Sequence, residues 1–73
     1  MADLGDLMRV KVNGEWGEYP DAITLDALLN QLQTRRDWMA VERNKKVVRK
    51  TLFAETRLED GDELEIIKLV GGG

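Results

Sequence analysis

A chain of 73 residues has room for one modest core, because a domain of this size buries only about 60% of the surface its unfolded chain exposes, and a large substrate cavity is not expected. Hydrophobic residues make up 42% and charged residues 34%, the balance of a folded soluble domain rather than a disordered one. The net charge of -3, from 14 acidic and 11 basic residues, opposes binding to a phosphate backbone, and the absence of cysteine and histidine removes disulfides, thiolate nucleophiles and most zinc ligands.

The first element is a strand. Met8-Val10-Val12 alternates with Arg9-Lys11-Asn13, a period of two with one apolar and one polar face. Asn13-Gly14 is the dipeptide that best tolerates the positive φ angles of a tight hairpin, so a second strand is predicted over Glu15 to Tyr19, ended by Pro20-Asp21. From Ile23 the period becomes helical, with Leu25, Leu28, Leu29 and Leu32 at three- and four-residue spacing. Thr24 suits the N-cap, Asp26 lies in the first turn, and Ile23 and Leu28 have the spacing of a hydrophobic staple across the cap. Arg35 and Arg36 suit the helix C-terminus.

"WMAVER" and "KVVRK" read as two short strands about the turn Asn44-Lys45, and Lys45, Lys46, Arg49 and Lys50 are charges that protect a sheet edge. "TLFAETRL" fits an irregular loop or one helical turn that takes Leu52, Phe53 and Leu58 into the core. Glu59-Asp60-Gly61-Asp62 is a turn, and "ELEIIKLV" is the last strand. The order β-β-α-β-β-β, about five short strands of a mixed sheet around one helix, describes an α+β domain of β-grasp type. Residues 1–6 are expected to form a flexible extension, 7–69 the domain and 70–73 a flexible glycine tail.

Within the last strand, Leu64 and Ile66 share the face expected to pack on the helix, while Ile67 and Leu69 point away from it. Ile67 and Leu69 are therefore expected to form a partner-docking surface beside the tail. The segment from Lys68 to Gly73 can extend about 20 Å, at roughly 3.3 Å per residue. Val70, Gly71 and Gly72 suit a narrow channel in a partner, since glycine has no Cβ to meet the walls. Gly73 would bring a carboxylate into that channel, and a carboxylate needs activation, as an acyl-adenylate for example, before it can donate an acyl group. Without Cys, His or Ser the usual nucleophile and base pairs of hydrolases are missing, and the scattered carboxylates read as solvated surface charge. An enzyme and a metal site are not expected. No apolar run reaches the roughly 20 residues of a membrane span, and "MADLGDLM" lacks the plan of a signal peptide, so the expected location is the cytoplasm.

The Asn13-Gly14 hairpin, "MAVERNKKVV", "LEDGDELEII" and the terminal Val70-Gly71-Gly72-Gly73 together resemble the bacterial ThiS-type sulfur carrier proteins of thiamin biosynthesis. The resemblance runs from about Met8 to Gly73 and implies a ubiquitin-like β-grasp that acts as a carrier, is monomeric, and binds no cofactor, nucleic acid or membrane itself. It further implies that a ThiF-type adenylyltransferase uses ATP to adenylate Gly73, and that a persulfide sulfur donor then converts the adenylate into a thiocarboxylate. A ThiG-type thiazole synthase would receive the sulfur for the thiazole ring. The nearest rival is the small subunit of molybdopterin synthase, which shares fold and tail but is usually longer, with an insertion between the helix and third strand that is missing here. A modifier conjugated to lysine is a second relative. A non-covalent β-grasp interaction module, with an incidental tail, is the alternative of a different class.

Overall fold

The computed structural model of the chain describes residues 6–32 and 39–68. Strand β1 (Leu7–Val12) pairs antiparallel with β2 (Glu15–Pro20) through a turn in which Asn13 and Gly14 have φ of 50° and 88°, the positive values that a twisted two-residue hairpin demands. Pro20 closes β2 opposite Leu7, one residue later than the expected end of this strand. It is tolerated because β2 lies at the sheet edge, where one side of the strand needs no donor.

Helix α1 (Leu25–Gln31) starts where Thr24 Oγ1 accepts a hydrogen bond from the Ala27 N–H at 3.1 Å, as the N-cap reading requires. Ile23 and Leu28, the proposed staple pair, are both buried in the core. Leu32 caps the other end, and Arg35, Arg36 and Trp38 lie outside the described residues.

Strands β3 (Met39–Arg43) and β4 (Lys46–Val48) form the second hairpin, whose turn residues Asn44 and Lys45 also have positive φ. A 3₁₀ helix, Lys50–Glu55, follows and carries Phe53 into the core. Leu52 does not go with it: its side chain is 45% exposed, against the expectation that it packs inward. With three residues per turn, neighbours on a 3₁₀ helix point about 120° apart, so Phe53 and Leu52 cannot both face the sheet. Leu58 is buried as expected, and its N–H donates to the Ile23 carbonyl at 2.9 Å.

Strand β5 (Glu63–Lys68) enters between the two hairpins, giving the order β2-β1-β5-β3-β4. It runs parallel to β1 and antiparallel to β3. The two edge strands are β2 and β4, the latter with Lys46 at its start and Arg49 just beyond it. Met8, Val10, Val41 and Leu64 turn the inner face of the sheet onto Leu25, Leu28 and Leu29 of α1. Among the described residues this single layer of helix on sheet leaves the opposite sheet face open.

Candidate functional site: the exit of the central strand

The C-terminal segment follows directly from the middle strand of the sheet. Pairing with β1 ends at Val12 opposite Leu64, while pairing with β3 continues to Met39 opposite Lys68. The last part of β5 is therefore flanked by a strand on one side and by the β1–β2 turn on the other. Asn13 occupies that side: its N–H donates to the Leu64 carbonyl at 3.0 Å, and its Oδ1 accepts from the Ile66 N–H at 2.8 Å. Beside the exit, on the inner side, is a groove of about 480 Å³ lined in part by Val12, Tyr19, Leu32, Ile66 and Lys68.

The entry of β5 is held by another asparagine. Asn44 donates its N–H to the Glu63 carbonyl at 2.7 Å and accepts from the Glu63 N–H through Oδ1 at 3.0 Å. Its Nδ2 donates to Asp62 Oδ1 at 3.1 Å. Asp62 Oδ2 also accepts from the Glu59 N–H and from Arg43 Nε, each at 2.9 Å. Burial pushes the Asp62 carboxyl up, but the Glu59 N–H, Asn44 and Arg43 together outweigh it and hold the group below its ordinary value. The turn that precedes the central strand is thus a rigid base.

The alternation along β5 is as the sequence predicts. Leu64 is buried and Ile66 half-buried on the helix side, whereas Ile67 is 41% exposed on the open face, opposite Ala40. Of the other residues expected to act in docking or transfer, Leu69, Val70, Gly71, Gly72 and Gly73 lie outside the described residues. The open face also exposes Leu7, Trp16 and Val47, which sequence reasoning did not single out. The Arg9 guanidinium and the Lys11 ammonium lie 5.0 and 5.7 Å from the centroid of the Trp16 ring, so two cations sit against this indole. The signal was present in the period of two: once Met8, Val10 and Val12 face inward, Leu7, Arg9 and Lys11 must face outward, with Trp16 opposite Lys11. Among the described residues no three acidic side chains converge to hold a metal ion, and no helix is long and apolar enough to cross a membrane.

A five-stranded mixed sheet folded over one helix, with the chain leaving along the middle strand, defines a β-grasp protein of the ubiquitin-like kind. The family model of the ThiS family matches residues 6–73, and the chain belongs to that family of small sulfur carriers. It is 40% identical over 53 residues to the sulfur carrier protein ThiS of Bacillus subtilis (strain 168), a match covering 73% of this chain and 80% of that one. The crystal structure of the thiamine biosynthesis protein (ThiS) from Geobacter metallireducens superposes with a TM-score of 0.80 at 29% identity, covering 90% of this chain and all of that one. A thiazole synthase of Paramagnetospirillum magneticum (strain ATCC 700264 / AMB-1) is 39% identical over 66 residues, which is 90% of this chain. The chain spans only about a fifth of the length of that enzyme.

Proposed function

We propose that the chain carries sulfur as a thiocarboxylate on Gly73 for assembly of the thiazole ring of thiamin. The observation that carries this reading is membership of the ThiS family across residues 6–73, which includes the whole glycine tail. The similarity to a stretch of a thiazole synthase supports a ThiG-type enzyme as the acceptor of the sulfur.

In the first step the Gly73 carboxylate attacks the α-phosphorus of ATP in a ThiF-type adenylyltransferase, releasing pyrophosphate and forming an acyl-adenylate. The terminal sulfur of a persulfide then displaces AMP to give an acyl disulfide. A second thiol reduces the S–S bond and frees the thiocarboxylate. In this reading the reacting group that the chain brings is the carboxylate of Gly73. The chain's further contribution is to dock, through Ile67 and Leu69, and to reach, through Val70, Gly71 and Gly72.

The test is ATP–pyrophosphate exchange by the adenylyltransferase of the same genome. Exchange should depend on the intact chain and vanish when Gly72 and Gly73 are deleted, while the thermal midpoint of the deleted chain should stay unchanged, since the last residues of a domain generally contribute little to its core. Exchange supported equally by both chains would refute the reading and favour a non-covalent module.

A further inference from the structure

The two hairpin asparagines hold the central strand in the same way, and only one of them stands at its exit. Asn13 and Asn44 have φ of 50° and 52°, and each donates its N–H to a β5 carbonyl and accepts a β5 N–H through Oδ1. At the entry, Asn44 works beside Asp62 and Arg43, and the Lys11 N–H donates to the Asp62 carbonyl at 2.9 Å. At the exit, β1 has already turned away after Val12. There the Asn13 side chain supplies the acceptor that the next residue of a β-strand would otherwise offer to Ile66.

Turn chemistry alone does not demand this. A hairpin of this kind needs a residue that accepts positive φ, which glycine also does, and a glycine would leave the Ile66 N–H without the Oδ1 acceptor. We propose that Asn13 is a positioning residue that sets the direction in which β5 delivers the reactive arm; the proposal rests on the carrier reading above. Drawn out into a partner's channel, the five residues beyond Lys68 span about 17 Å at roughly 3.3 Å each, so a change of about 10° in the direction of β5 moves the terminal carboxylate by about 3 Å. A displacement of that size is enough to take a reacting group out of line with its target.

The experiment compares the full chain with Asn13→Gly and Asn13→Asp. Asn13→Gly keeps a turn-compatible backbone and removes the acceptor, whereas Asn13→Asp keeps an oxygen at the same place. Amide hydrogen exchange on the free proteins should be about tenfold faster at Ile66 in Asn13→Gly, the loss of one hydrogen bond, and close to wild type in Asn13→Asp. Adenylation by the ThiF-type enzyme, followed by pyrophosphate release, should show kcat/KM lowered about tenfold for Asn13→Gly, with the change in kcat and with KM retained. Asn13→Asp should recover it. A purely structural role would lower the thermal midpoint and leave kinetics of the folded protein unchanged. Wild-type kinetics in folded Asn13→Gly would overturn the positioning role alone, and a wild-type chain that the active enzyme does not adenylate would overturn the carrier reading with it.

Discussion

Arg43 Nε lies 2.9 Å from Asp62 Oδ2, joining the end of β3 to the turn that launches the central strand. The Asp62 side chain is 8% exposed and that of Arg43 27%, so solvent screens the pair only in part. Asp62 also accepts from the Glu59 N–H and from Asn44, and a single carboxylate thereby links β3, the β3–β4 turn and its own turn. Such an arrangement stabilises only while the carboxyl is ionised.

The stability of the protein should therefore depend on pH through Asp62. Its folded-state pKa lies below the unfolded value, so the contribution is present in full above the unfolded value and is lost as pH falls through the folded one. Thermal midpoints measured from neutral to acidic pH should fall more steeply for the wild type than for Asp62→Asn. At neutral pH, Asp62→Ala should cost about 1–3 kcal/mol, because the Glu59 N–H and Arg43 lose their buried acceptor. Parallel pH profiles for wild type and Asp62→Asn would show that Asp62 plays no such part.

The two faces of β5 should separate stability from docking. Leu64, 3% exposed, should cost about 2–5 kcal/mol on mutation to Ala through lost burial and a cavity. Ile66 is half-buried, and Ile66→Ala should cost less. On the open face, Ile67→Asp should leave stability within about 0.5 kcal/mol and weaken binding to the adenylyltransferase. Denaturant melts and titration calorimetry on the same variants check the ranking, and a larger stability loss for Ile67→Asp than for Leu64→Ala would mean that the pleat is reversed.

Gly61 has φ of 90° with open space where a Cβ would go, so its replacement by Ala tests backbone conformation without a clash. The left-handed conformation costs an L residue roughly 1–2 kcal/mol, and Gly61→Ala should be destabilised by about that amount. Its N–H donates to the Arg9 carbonyl at 2.7 Å, which ties the turn to β1 and keeps it from relaxing. A denaturation midpoint equal to wild type would show that the turn does relax.

Local patterns disclosed each element because the core is built from strict periods: the two-residue alternation of Met8, Val10 and Val12, and the helical spacing of Leu25, Leu28 and Leu29. Both hairpin turns were legible for the same reason, since Asn13-Gly14 and Asn44-Lys45 stand between alternating runs. What a pattern cannot hold is a contact between distant positions. The bond from Ile66 to Asn13 spans 53 residues, and the Asp62 cluster joins two separate segments, 43–44 and 59–62, so neither could be inferred from spacing. Leu52 misled because an apolar residue beside Phe53 looks like core until the 3₁₀ turn assigns one of them to solvent. The exposure of Ile67 was legible through alternation alone, whereas the role proposed for the glycine tail rests on the chemistry of glycine and on resemblance to a family rather than on any packing.

The central claim is that Gly73 becomes a thiocarboxylate, and intact-mass measurement tests it most directly. The chain is incubated with ATP and an active adenylyltransferase from its own genome, then with a persulfide donor and a thiol reductant. The account predicts an adenylated species that requires ATP, followed by a product heavier than the starting chain by the difference between one sulfur and one oxygen, localised by fragmentation to Gly73. An unchanged mass with an enzyme shown to be active would contradict it.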